Sequence, residues 1–353
     1  MKALFSSLQL RDLNLKNRIV VSPMQQYSAT DGIPGHWHLV HLGSRAVGGA
    51  GLIMTECTAV SPTAMCTIND VGIWNQDQVA AWKIITDFIH GQHAKAGIQL
   101  WHAGGKASSK HPKEGMLPLS VEEGGWLPMS ASSTPINAHF PKAMTLEEIS
   151  EVKEQFATAA RNAVAAGFDT IELHAAHGYL LHQFYTPLTN KRNDQYGGSF
   201  ENRTRLLIET VIEVRKVIPA GMPLLVRLSA TDYSDDVNAW TMEESLKLAA
   251  ILKDKGVDLI TASGGGLVQV DQSIVKPGYQ LHMATKIREA VQLSVGTVGM
   301  ITDGQQANSI IENKEADLVV IAREHLRDPY FALHAALQLG ETPDVPWQYA
   351  RAF

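Results

Sequence analysis

The nine residues Ile171-Glu172-Leu173-His174-Ala175-Ala176-His177-Gly178-Tyr179 run from an apolar, strand-forming stretch straight onto two histidines and a tyrosine. Two imidazoles can grip a polar oxygen, and a phenol beside them can hand over a proton. That is equipment for reducing an activated double bond, given a hydride source close by. The His-x-x-His spacing has a rival reading as a metal site. Here the pair sits at a strand exit, where positions i and i+3 face opposite sides, so the chain must turn before the rings converge. A metal would also want further carboxylate or thiol ligands, and Cys57 and Cys66 lie far off in the chain. No metal is therefore expected. A merely structural role for one of the histidines stays open.

Something must hold these side chains. Short apolar runs rich in Val, Ile and Leu recur at 18–23, 51–56, 97–102, 170–174, 224–229, 258–262, 295–299 and 317–322, as parallel strands covered on both faces require. Amphipathic helical patterns alternate with them, among them Thr145–Ala166, Ser199–Val217, Met242–Lys255 and Asp303–Asn313. Thr145 with Glu148, and Thr241 with Glu244, carry the capping-box signature of a helix start. The alternation predicts an α/β fold, a closed (β/α)8 TIM barrel, with an open doubly wound sheet as the alternative. One domain is expected over 1–353. The stretch 103–143 breaks the pattern with many Gly, Pro and Ser residues. It reads as an excursion after the third strand that caps the barrel mouth, with room for a short hairpin.

Composition narrows the partners. The 353 residues are 45% hydrophobic and 19% charged, with a formal charge of -6. That is a globular composition, and the charge argues against nucleic acid. Two cysteines make neither a disulfide scaffold nor a zinc motif, so a reducing cytoplasm is the expected home. No secretion signal and no bilayer-spanning run is expected.

Barrels of this type place chemistry at the C-terminal ends of their strands. Those ends read Ser22–Tyr27, Thr55–Thr58, Gln99–His102, His174 with His177, Arg227–Ser229, Ser263–Gly266, Gly299–Met300 and Ala322–Arg323. Gly299 ahead of a helix near Asp303, and Arg323 closing the eighth strand, suggest an anion site for phosphate. The bland alternative is that Gly299 only makes a turn. No lysine stands at any of these ends, which counts against a Schiff-base aldolase or another non-redox lyase.

The string His174-Ala-Ala-His177-Gly-Tyr179-Leu-Leu-His-Gln-Phe184 is followed by a second long one, from Pro187 to Arg203. Shorter matches are Asn17–Val20, Pro23-Met24, Gln99–Gly104, Met144-Thr145, Val226–Ala230 and Arg327–Pro329. Together they resemble, end to end, the Old Yellow Enzyme family of FMN-dependent ene reductases. The Met24-x-x-Tyr27 start and the Gln348–Arg351 ending resemble its bacterial branch that includes the xenobiotic reductases.

The resemblance implies FMN as cofactor and NADPH, or NADH, as co-substrate. It implies that Gln99 and Arg227 bind the polar edge of the flavin. Pro23, Met24, Gln25 and Cys57 would lie along the ring, while Gly299, Ala322 and Arg323 hold the phosphate. His174 and His177 would bind a carbonyl or nitro oxygen, Tyr179 would donate the proton, and Tyr27 would line the pocket. Lys106 would approach the cofactor. Arg351 would enter a neighbouring subunit's site, in a homodimer or homotetramer. Nitrate esters or nitroaromatics are alternative substrates, and a catabolic FMN dehydrogenase is an alternative activity. The larger dehydrogenases of this kind carry an iron–sulfur site, for which two cysteines are too few.

Three positions depart from the family pattern. Gln25 stands where the branch carries cysteine beside the flavin, and its amide is expected to donate to the flavin or to narrow the pocket. Cys57 stands at a commonly alanine position, as a rim thiol or simply a small buried group. Gly105 replaces a common arginine.

Overall fold

Eight parallel strands close on themselves in chain order. They are β1 (Ile19–Val21), β2 (Leu52–Ala59), β3 (Lys95–Trp101), β4 (Thr170–Ala175), β5 (Leu224–Ser229), β6 (Leu259–Ser263), β7 (Ser294–Thr297) and β8 (Leu318–Ile321). The computed structural model describes residues 1–353. The barrel, not the open sheet, is therefore the fold, and each predicted apolar run holds one strand. Helices fill the connections, including Leu146–Ala165, Phe200–Val217, Met242–Asp254 and Gly304–Glu312. The side chains of Thr145 and Thr241 accept from the N–H groups of Glu148 and Glu244, so both predicted capping boxes form. No helix is long and apolar enough to cross a membrane.

Two layers of core result. The larger lies between strands and helices and includes Trp82, Phe156 and Phe184. The smaller fills the barrel's N-terminal end with Leu52, Met54, Leu225, Leu259 and Leu318. A hairpin of Leu8–Leu10 against Leu13–Leu15 plugs that end with Leu10, Leu13 and Leu15. Sequence periodicity missed this hairpin because three residues per strand are too few to show alternation.

The long excursion differs from the expected hairpin. Met129–Ser130 pairs with Lys142–Ala143 in parallel, and the reversal is made by an antiparallel bridge of Ile136 to His139. Ile136 and Pro141 close on Gly105, where a Cβ would come within 2.7 Å of Ile136. β2 runs further than expected, with a register shift between Met54 and Cys57 that re-aims the residues between.

The buried imidazoles make the fold acid-sensitive. Burial pushes the pKa of His41 and of His102 down to about 3, and that of His325 down to about 4. Below about pH 6.5 the unfolded chain takes up protons that the folded chain refuses, so stability is whole above that pH and falls towards pH 4. Each such imidazole contributes a slope of about 1.4 kcal/mol per pH unit. Asp70 works the other way. Burial raises its carboxyl to about 6, so it offsets one of the three slopes between about pH 6 and 4. Thermal unfolding followed by circular dichroism should give a level Tm between about pH 7 and 8 and a steep fall below pH 6. A flat profile would mean that these rings are protonated in the fold.

Candidate active site

β4 ends at Ala175 and the chain turns at once. His177 and Gly178 both take left-handed backbone, with φ of 58° and 71°. At Gly178 a Cβ would lie 2.6 Å from the Gly266 carbonyl oxygen, so only glycine fits this approach. The turn brings the His174 and His177 rings to 5.0 Å between centroids, and Tyr179 to 5.1 Å from His174. All three predicted side chains thus converge. His174 Nδ1 accepts from the Ala176 N–H at 3.2 Å, which leaves the ring proton on Nε2. His177 Nε2 lies 2.7 Å from Ser263 Oγ.

Desolvation, and then neighbouring positive groups such as Arg227, hold both imidazoles well below the ordinary histidine pKa. They are therefore neutral at pH 7. Tyr179 packs edge-on against Trp101 at 5.1 Å. Desolvation first, and then the thiols of Cys66 and Cys57, push its phenol well above the ordinary tyrosine value. It holds its proton at neutral pH.

Beside this turn an open cleft crosses the C-terminal ends of β1 and of β5 to β8. Ser22, Arg227, Gly299, Ala322, Arg323 and Arg327 line it. Arg227 is buried, gives one N–H to Ser22 Oγ at 3.2 Å, and leaves Nε without a partner. A buried guanidinium N–H with no acceptor is costly, so the site fits a ligand that brings an acceptor there. Gly299 has φ 114°, and Arg323 is exposed at the same end of the cleft. Glycine backbone and two arginines suit a phosphate.

Glu172 points into the barrel. It accepts from Gln99 Nε2 at 2.7 Å and from Thr261 Oγ1 at 2.6 Å. Cys57 Sγ donates to Gln99 Oε1 at 3.1 Å, so both ends of the Gln99 amide are oriented. The Cys57 thiol is half-buried and held in its neutral form, its pKa raised chiefly by desolvation.

Pro23–Tyr27 form the loop after β1, tied down where Glu56 Oε2 accepts from the Gln26 N–H at 2.7 Å. Gln25 is anchored from behind. Its Nε2 donates to Asp70 Oδ1 at 2.7 Å, and its carbonyl oxygen is left buried without a partner. Asp70 is fixed in turn by the N–H groups of Cys66 and Thr67. The amide therefore offers its oxygen as an acceptor, with one of its two N–H groups committed to Asp70. Tyr27, at φ 51°, packs edge-on to His111 at 5.6 Å.

Lys106 reaches the same turn. Its ammonium donates to the backbone oxygens of His177 and Gly266. Arg351 is exposed in the tail. The tail's residues 344–348 pack with Lys16, Gly49 and Gly91–His93, where strands begin, so Arg351 is not part of this pocket within one chain.

Residues 3–341 match the NADH:flavin oxidoreductase / NADH oxidase family. The chain belongs to this family. NADPH dehydrogenases of Listeria welshimeri and Bacillus subtilis (strain 168) are 45% and 43% identical to it. The alignments cover 100% of this chain, and 100% and 99% of those proteins. Among solved structures, morphinone reductase in complex with tetrahydroNAD superposes with a TM-score of 0.78 at 28% identity, over 97% of this chain and 92% of that one. A 2-naphthoyl-CoA reductase gives a TM-score of 0.85 at 25% identity, over 96% of this chain and 52% of the other.

The protein is thus an FMN-dependent NADPH oxidoreductase of the Old Yellow Enzyme family. The orphaned Arg227 N–H and the glycine–arginine cleft are where its residues fit that cofactor. Sequence reasoning missed Glu56, Asp70 and Glu172 as site residues. Glu172 carried a signal, a carboxylate inside an apolar strand. Glu56 carried the same signal, in the strand end Thr55–Thr58, whereas Asp70 carried none, because its partner lies 45 residues away.

Proposed function

We propose that this oxidoreductase reduces carbon–carbon double bonds conjugated to a carbonyl or nitro group. The observation that carries this is the convergence of two neutral imidazoles and a protonated phenol on one turn. Bound FMN supplies the hydride store that NADPH fills and the substrate empties. The chain's own residues do the rest. Arg227 and Gln99 hold the polar edge of the cofactor, with Pro23, Met24 and Cys57 along it. Gly299, Ala322 and Arg323 hold its phosphate.

His174 offers Nε2–H to the substrate oxygen, and His177 stands beside it. A neutral donor gains strength as charge grows on that oxygen, which favours the transition state over the ground state. Tyr179 then gives its proton to the α-carbon. The raised pKa keeps the phenol from losing that proton to water, and the enolate forming in the pocket is the stronger base. Tyr27 lines the same pocket.

The deciding experiment is one anaerobic cuvette followed in the visible range, with protein, then NADPH, then 2-cyclohexenone. Colour that bleaches with NADPH and returns with the enone supports the assignment. Bleaching without return would move the substrate to nitroaromatics or nitrate esters.

Gln25 would face the reducible edge of the flavin with its carbonyl oxygen, since that oxygen has no partner in the protein while Asp70 anchors the amide nitrogen. An acceptor favours the reduced ring, which carries the additional N–H. Gln25→Cys should therefore lower the flavin midpoint potential. One hydrogen bond of about 1 kcal/mol corresponds to about 20 mV for a two-electron couple. Spectroelectrochemical titration reads this directly. An unchanged potential together with unchanged substrate preference would remove the role.

A further inference from the structure

The peptide joining His177 to Gly178 is held at both ends by side chains that no step above uses. The Gly178 N–H donates to His182 Nδ1 at 2.8 Å. The His177 carbonyl accepts from Lys106 Nζ at 2.9 Å. The next peptide is held as well, since Gln183 Nε2 donates to the Gly178 carbonyl at 2.8 Å.

Each of these side chains is itself fixed. Because His182 Nδ1 accepts, its proton is on Nε2, which lies 2.9 Å from Asp232 Oδ1. Both side chains are 0% exposed. Asp232 Oδ2 accepts in addition from Thr186 Oγ1 and the Trp240 N–H, so the carboxylate cannot swing away. Gln183 Oε1 accepts from the Gly105 N–H and from Ser130 Oγ, both at 2.9 Å, which fixes which end of its amide meets Gly178. Lys106 bonds the Gly266 carbonyl too, and its Nζ stands 5.1 Å from the Tyr179 ring centre.

This matters because His177 and Gly178 are consecutive left-handed residues. For a residue with a Cβ that conformation costs about 1–2 kcal/mol. A rotation of the intervening peptide plane would change ψ of His177 and φ of Gly178, would leave the His177 φ at 58°, and would re-aim the flanking side chains, His177 and Tyr179. Such a flip exchanges N–H and C=O. It would turn a carbonyl towards the His182 acceptor and an N–H towards the Lys106 ammonium. Two mismatched partners at one peptide disfavour the flip, at about 1–3 kcal/mol for each buried group left unpaired.

We propose that His182, Asp232, Gln183 and Lys106 are positioning residues that lock the His177–Gly178 peptide plane, and with it the aim of His177 and Tyr179, before substrate binds. The two residues after Tyr179-Leu-Leu thus fold back onto the peptide that precedes Tyr179. The kinetic consequence rests on the proton-donor assignment above, while the lock itself does not.

Two readouts keep these apart. The first is hydrogen exchange of the segment containing Gly178, measured by mass spectrometry on FMN-loaded protein without substrate. His182→Phe and Lys106→Met should speed exchange there at least about tenfold. His182→Asn, which restores an acceptor oxygen near the place of Nδ1, should stay near wild type. The second readout is the ratio of enone-driven reoxidation to NADPH-driven reduction in stopped flow. Misplacement by about 1 Å costs about 100-fold, so His182→Phe and Lys106→Met should lower this ratio 10- to 100-fold, and His182→Asn should recover most of it. Lys106→Met keeps its apolar stem and serves if His182→Phe fails to fold.

Unchanged exchange in Lys106→Met, or His182→Asn as impaired as His182→Phe, overturns the lock. Faster exchange with an unchanged ratio overturns positioning, provided that Tyr179→Phe lowers the same ratio. If Tyr179→Phe leaves the ratio unchanged, the proton-donor assignment falls, and the lock is decided by exchange alone.

Discussion

Tyr179→Phe should leave NADPH-driven bleaching of the flavin within about threefold of wild type and slow the enone-driven return about 100- to 10,000-fold, the span typical of a lost general acid. The change removes one oxygen and keeps the ring. Edge contacts to Trp101 and His174, both at 5.1 Å, therefore survive, and the pocket keeps its shape. Only the half-reaction that needs a proton on carbon is affected. Stopped-flow absorbance resolves the two halves separately. Equal rates of return in variant and wild type would assign the proton to another donor.

The pH profile adds a second constraint. Desolvation and the neighbouring acidic groups raise the Tyr179 pKa, so the return step should stay level from pH 6 to 9. A fall centred near pH 8 would point to Lys106 instead, because burial brings its ammonium down to about 8.

Arg227→Met should yield protein that purifies largely colourless, with the FMN Kd raised about 30- to 5,000-fold. Truncating one partner of a buried charge-assisted contact costs about 2–5 kcal/mol. The methionine fills part of the volume but leaves the polar edge of the cofactor without its cation. Glu172 also loses a positive neighbour that acts on it through the barrel interior. The apo-protein should therefore melt lower than wild-type apo-protein, beyond any loss from missing cofactor. Fluorescence quenching of FMN titrated with apo-protein gives the Kd. Arg227→Lys should fall between the two, because a lysine restores charge without the planar fork. Tight FMN binding by Arg227→Met would remove Arg227 from the cofactor site.

The two experiments probe different depths of the sequence. His174, His177 and Tyr179 stand within six positions, so their chemistry was visible before any fold was known. The barrel was visible too, because eight apolar runs alternating with capped amphipathic helices have few other ways to bury both faces of every strand. Gln25 was identified as a departure, but the direction of its amide was not. That direction depends on Asp70, 45 residues on, in a loop without periodicity. Lys106 was expected near the cofactor, and its two bonds to the turn's backbone oxygens had no signal in the sequence.

Local sequence by itself determined the strands, the helix starts and the identity of the proposed reacting groups, because periodicity and side-chain chemistry act over a few residues. Tertiary structure decided how those groups are aimed and charged. The left-handed turn at His177 and Gly178 persists because Lys106, His182 and Gln183 hold it. The imidazoles are neutral and the phenol protonated because desolvation in the packed chain disfavours charge on each of them. Desolvation and long-range hydrogen bonds are properties of the packed chain, and no short stretch of sequence contains them.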